Sequence, residues 1–127
     1  MILVDSDVLI AHLRGRQAAR DWLLRARRDT GPLAVSVVSV TEVAGGMRSP
    51  ERQQVSRLLS SMRTFGVTER IAWRAAEFMR AHRRSHQGIG LGDYLIAATA
   101  DVEGLDLATL NVRHFPMIAG LTAPFRL

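Results

Sequence analysis

Short apolar runs rich in β-branched residues alternate with helical stretches along this chain, and that alternation restricts it to an α/β fold. Ile2–Val4 ends in Asp5-Ser6-Asp7 and is followed by Val8–Leu13 and a stop at Gly15. This predicts a buried strand and then a helix capped by Ser6 or Asp7. A second helix is expected from about Gln17 to Arg28, with Ala18, Trp22, Leu23 and Ala26 on its apolar face, before Gly31-Pro32 breaks it. Leu33–Val38 reads as a core strand, and Ser39-Val40-Thr41-Glu42 as a capping box opening a helix that stops at Gly45-Gly46. Further helices are expected from Pro50 to about Thr64 and, capped by Thr68, over Glu69–Arg84, with a short strand at Phe65–Val67 between them. Gly88, Gly90 and Gly92 lead into a helix that starts at Asp93 and ends at Gly104. Leu105–Leu110 is a further strand, and the stretch holding Pro116 and Pro124 is a candidate edge strand. Strands separated by helices pair in parallel beneath helices on both faces, and the working groups of such sheets gather beyond the strands' C-terminal ends.

A chain of 127 residues, 47% of them hydrophobic, fits one compact domain over residues 1–127 with a packed core. It has no cysteine, which excludes a disulfide framework, a thiolate metal site and a cysteine nucleophile. Met1–Val4 is too short for a secretory signal, and no apolar run approaches the roughly 20 residues that span a bilayer. A soluble, cytoplasmic protein with no membrane partner is expected. The formal charge is +5, and every cation other than histidine is arginine. Arginine's planar fork matches phosphate, although a genome favouring arginine codons accounts for the composition equally well.

Three strand-to-helix junctions carry an acid at the helix start: Asp5, Glu42 and Asp93. Each has a plain structural explanation. Asp5 suits a loop capping the next helix, Glu42 completes the box begun by Ser39, and Asp93 suits a cap or first-turn position. Taken jointly they say more, because a parallel sheet brings those junctions to one edge. Clustered carboxylates repel one another unless a cation lies between them. Oxygen donors suit Mg²⁺ or Mn²⁺ rather than zinc, and such a cation activates water and neutralises charge on a phosphoryl group.

These stretches resemble the four ordered motifs of the PIN-domain family. Leu3-Val4-Asp5-Ser6-Asp7-Val8-Leu9-Ile10 resembles the first, Ser39-Val40-Thr41-Glu42-Val43 the second, and Leu91–Ala100 the third, whose Asp opens a helix of small and apolar residues. Leu107-Ala108-Thr109-Leu110-Asn111-Val112-Arg113-His114-Phe115 resembles the fourth. The resemblance implies a three-layer α/β/α sandwich with a mainly parallel sheet. It also implies a Mg²⁺-dependent endoribonuclease that cuts RNA with activated water, structured RNA such as tRNA or rRNA being a candidate substrate. In VapC-type members the enzyme is a toxin restrained by an antitoxin protein, and a homodimer is implied. Carried over by motif, Asp5 and Asp93 bind the metal, Glu42 completes the acidic site, and Ser6 supports it with its hydroxyl. Asn111 departs from the pattern, since many relatives have Asp there or at the place of His114. It offers an amide oxygen but no charge. Asp7 stands where Ser or Asn is usual and is read as a helix cap, while His114 is read as a surface residue beside Phe115. Arg83, Arg84 and Arg113 are expected along the RNA path, and Val43–Met47 with Val55–Met62 as an antitoxin groove.

Rival readings lack parts. Asp5-Ser6-Asp7 imitates the nucleophile and acid of a haloacid-dehalogenase-type phosphatase, but that chemistry and that of receiver domains need a lysine, and this chain has none. Gly88-Ile89-Gly90-Leu91-Gly92 lacks the third spaced glycine of a phosphate loop. His82 and His86 share a helical face without a third ligand, and Trp22 and Trp73 read as core or dimer contacts. Asn111 keeps one non-enzymatic alternative open, a PIN relative that binds RNA or protein with weakened catalysis.

Overall fold

The computed structural model describes residues 1–85 and 88–127. Its strands are β1 (Ile2–Val4), β2 (Ala34–Ser36), β3 (Arg63–Phe65) and β4 (Asp106–Ala108). Its helices are α1 (Ser6–Leu13), α2 (Gln17–Thr30), α3 (Val37–Gly45), α4 (Arg52–Ser60), α5 (Glu69–His82) and α6 (Leu91–Glu103). The strands form one parallel sheet in the order β3-β2-β1-β4, with Leu3 opposite Ala34 on one side and Leu107 on the other. Strands this short are held by packing more than by their ladders. Alternate residues point to opposite faces, so Leu3, Ala34 and Leu107 join Ile71, Phe78 and Ile96 beneath α5 and α6. Val4 and Val35 join Leu9, Leu23, Val43 and Val55 beneath α1 to α4. Two cores with a sheet between them make the three expected layers.

The chain winds outward from β1 through β2 to β3, then returns to place β4 on the other side of β1. That reversal is a topological switch point, and it opens a crevice beyond the ends of β1 and β4.

Several boundaries differ from expectation, each for a local reason. The second strand stops at Ser36 instead of reaching Val38, because the Ser36 hydroxyl accepts from Val38 N at 3.1 Å and caps α3 there. Asp5, not Ser6 or Asp7, caps α1. Pro50 lies in a 3₁₀ turn, Ser49–Glu51, that precedes α4. The strand expected at Phe65–Val67 pairs two residues earlier, and α5 ends at His82, short of Arg84. The stretch with Pro116 and Pro124 adds no strand among the described residues. Trp73 is 67% exposed on α5 instead of lying in the core, whereas Trp22 packs at 6.2 Å from Phe125. His86, half of the proposed histidine pair, falls outside the described residues.

Candidate active site

Asp5 stands where β1 gives way to α1, only 5% exposed. Its Oδ1 accepts from Ser6 N at 2.8 Å, and its Oδ2 accepts from the Thr109 hydroxyl, also at 2.8 Å. Thr109 follows β4, so this contact closes the switch-point crevice between neighbouring strand ends. Asp7 does not cap its helix. Its Oδ2 accepts from Leu110 N at 3.0 Å and lies 3.2 Å from the Thr109 hydroxyl, which ties α1 to the loop after β4. The other oxygen of Asp7, Oδ1, is buried with no hydrogen-bond partner.

Glu42 is placed differently from the sequence expectation. Since Ser36 starts α3, Ser39 lies inside the helix, its hydroxyl buried and unpartnered, and no capping box forms. The structural explanation for Glu42 therefore falls away. Its carboxylate has the Ser6 side chain beside it and lies within electrostatic range of Asp93 and Asp7. Gly92 allows α6 a close approach to α3, since a Cβ there would meet Val38 Cγ1 at 3.3 Å and the valine would have to give by a few tenths of an ångström.

Asp93 occupies the first turn of α6, where its Oδ2 accepts from Gly90 N at 3.1 Å. The same oxygen lies 3.1 Å from His114 Nδ1, which in turn is 2.9 Å from Asn111 Nδ2. One ring nitrogen thus faces both a carboxylate and an amide, and its tautomer decides which of the two it engages. Asn111 N also donates to Thr109 Oγ1 at 3.1 Å, joining this cluster to the one around Asp5.

Electrostatics show what the arrangement stores. Burial, then the charges of Asp7 and Glu42, push the Asp5 carboxyl up from 3.8 to about 6 against the hydrogen bonds of Thr109 and Ser6. Burial also raises Asp7, opposed by Leu110 N. Glu42 is raised by burial and by Asp93 and Asp7, while Ser6 lowers it. Among the described residues no three His, Cys, Asp or Glu side chains form a ready-made cage. The acids share one crevice but are turned towards hydrogen bonds. An all-oxygen donor set, mutual repulsion and the orphaned Asp7 Oδ1 together fit a hard divalent cation.

The motifs located Asp5, Glu42, Asp93 and Asn111 at one sheet edge, and the structure brings all four there. They missed Thr109 as the hub and His114 as the neighbour of Asp93. His114 is 34% exposed at its side chain, not the plain surface histidine expected. A polar Thr directly after an apolar strand, in the fourth motif, was the available signal for the hub.

A PIN domain profile matches residues 2–121. The chain belongs to the PIN domain family. Over 125 residues it is 68% identical to Ribonuclease VapC10 of Mycobacterium tuberculosis, covering 98% of this chain and 93% of that relative. Ribonuclease VapC19 of the same organism is 39% identical over 125 residues, 98% of this chain and 100% of the relative. A chain of a toxin-antitoxin complex from Klebsiella pneumoniae superposes with a TM-score of 0.81 at 27% identity, with 100% of both chains covered. The expected PIN resemblance and the parallel α/β/α arrangement are borne out.

Proposed function

We propose that this PIN-domain chain is the endoribonuclease toxin of a toxin–antitoxin pair, with its catalytic centre at Asp5, Glu42, Asp93 and Asn111 and magnesium (Mg²⁺) as its metal. As a ribonuclease of the VapC kind it hydrolyses RNA, in keeping with 68% identity across 98% of the chain. PIN-domain ribonucleases use divalent metal ions, and the choice of Mg²⁺, with Mn²⁺ as substitute, rests on the oxygen-only donor set. One observation carries the site assignment: the Thr109 hydroxyl faces both Asp5 and Asp7 and accepts from Asn111 N, while His114 links Asn111 to Asp93, so groups from separate elements meet at the switch point.

Asp5 and Asp93 would hold the cation, with Glu42 and the Asn111 amide oxygen completing its surroundings. When bound there, the cation supplies positive charge to the scissile phosphate and lowers the pKa of a water for in-line attack. Thr109 and Ser6 N fix the orientation of the Asp5 carboxylate, and Gly90 N and His114 fix that of Asp93. Ser6 steadies Glu42 through its hydroxyl. No side-chain nucleophile is required. Arg113, exposed in the 3₁₀ turn Val112–His114, and Arg83 and Arg84, exposed just beyond α5, would meet RNA backbone.

In the expected antitoxin groove Val43 and Val55 are core residues at 3% and 2% exposure, and with Met47 they line only a small recess of about 70 Å³. An apolar recess of about 250 Å³ lies instead between α2 and α4, where Leu24, Leu58 and Met62 offer a seat for an antitoxin segment. The exposed Trp73 supports a homodimer contact, which sedimentation at micromolar concentration checks. Among the described residues no helix is long and apolar enough to cross a membrane, and a cytoplasmic setting suits an RNA substrate. The weakened-catalysis reading rests on the neutral Asn111 and predicts RNA binding without cutting.

Total cellular RNA incubated with wild type and with Asp5→Ala, in Mg²⁺ and in EDTA, separates the readings. Discrete cuts by wild type in Mg²⁺, lost in EDTA and in Asp5→Ala, are expected. Equal cutting by Asp5→Ala would remove the site assignment.

A further inference from the structure

The turn between α1 and α2 presents Arg14 and Arg16 beside the acidic crevice on a rigid support. Gly15 has φ +79°, a conformation that favours glycine, and its N donates to His12 O at 3.0 Å while Arg16 N donates to Ala11 O, also at 3.0 Å. These two bonds form a Schellman turn, which fixes the backbone of both arginines. Arg14 and Arg16 line one open groove of about 520 Å³ that runs up to Asp7 and Asn111 over a floor including Ile10 and Leu110. Arg14 also borders the small recess that holds Glu42, so it stands between two approaches to the acids. Both arginines are exposed and neither forms a hydrogen bond or close ion pair among the described residues, the charge of Arg14 acting on Glu51 only at longer range.

Two exposed guanidinium groups without a close ion pair stand beside a cluster of carboxylates. They supply positive charge where a polyanion must approach a negatively charged site, with apolar floor enough for sugar or base. We propose that Arg14 and Arg16 form a phosphate subsite that seats the RNA backbone next to the cleaved bond and so positions the strand on the acids. This rests on the ribonuclease reading above and names positioning residues for it. RNA is favoured over an acidic protein segment because the groove is continuous with Asp7 and Asn111, where the phosphodiester chemistry is placed.

The test uses the full chain and end-labelled total cellular RNA. In an Asp93→Asn background, where binding is read without cutting, the pair Arg14→Gln/Arg16→Gln is compared with Arg70→Gln/Arg80→Gln, which removes the same charge from exposed positions of α5. The first pair is expected to weaken binding roughly tenfold and to flatten the dependence of log K on log salt by about 1.4 to 1.8, the share of two phosphate contacts. With Asp93 restored, that pair should raise KM while kcat holds, and Arg14→Lys/Arg16→Lys should recover part of the loss. Melting curves should move little, since among the described residues neither side chain has a hydrogen bond or close ion pair to lose.

Equal weakening by both pairs would reduce the effect to net charge and overturn the subsite. Unchanged RNA binding with weaker retention of a co-expressed antitoxin would overturn it in favour of a protein occupant. If Asp93→Asn binds no RNA and wild type cuts none, the ribonuclease reading itself fails and takes the subsite with it.

Discussion

Asp5 and Asp93 open helices at the same edge of the sheet, yet the chain treats them in opposite ways. Asp5 is 5% exposed between two strand ends, held by Ser6 N and Thr109, with its carboxyl pushed up to about 6. Asp93 keeps 24% of its side chain exposed on the rim, where Gly90 N and the ring of His114 hold it. The inner acid is fixed and charged at a cost to the fold. The outer acid hangs on a histidine that has a second partner, Asn111, to choose from. The comparison teaches that the site joins a rigid, strained half to an adjustable one.

The largest expected effect is on cutting, and there the two halves should agree. Asp5→Asn and Asp93→Asn should each lower RNA cleavage in Mg²⁺ by about a hundredfold or more, because each removes a charged oxygen donor. Their stabilities should then part company: without metal at pH 7, Asp5→Asn melts higher than wild type while Asp93→Asn stays close to it. Equal melting shifts in the two variants would erase the contrast.

Acid titration of the metal-free protein probes the inner half alone. Between pH 3.8 and about 6 the folded chain keeps a proton on Asp5 that the unfolded chain has released, so stability falls as pH rises through that window. Asp5 accounts for a drop of order 3 kcal/mol, and the upward shifts of Asp7 and Glu42 act in the same direction. Added Mg²⁺ should restore the loss at pH 7 and have little effect at pH 4, which urea denaturation at the two pH values measures.

Thr109→Val removes the hydroxyl that faces both Asp5 and Asp7, and should cost about 1 to 3 kcal/mol at pH 7 by the same method. The smallest effect belongs to the outer half: His114→Ala should lower activity roughly tenfold with stability nearly unchanged, and raised Mg²⁺ should recover part of it. A His114→Ala loss as large as that of Asp93→Asn would mean that the ring acts on substrate directly.

Much of this was legible before any coordinates. Alternating runs gave the parallel sheet, since period and length of apolar stretches are local properties. Asp5 and Asp93 were legible because each directly precedes or opens a helix. The start of α3 was not, because Ser36 and Ser39 both suit a cap, and the choice depends on how far β2 pairs with its neighbours. That choice removed the capping alternative for Glu42 and left its reading as a site residue standing alone. Thr109 stayed hidden as a hub for a different reason: its partners lie 104 and 102 positions away, a separation that no local pattern encodes.

That separation has a consequence for how such a protein is made. Asp5 and Asp7 leave the ribosome about a hundred residues ahead of Thr109, with α2 to α6 between them, so these carboxylates lack their shared hydroxyl until β4 has emerged. The proposed centre therefore assembles only once β4 docks beside β1. On the proposed function, a nascent chain would be held back from the RNA around it until β4 has docked.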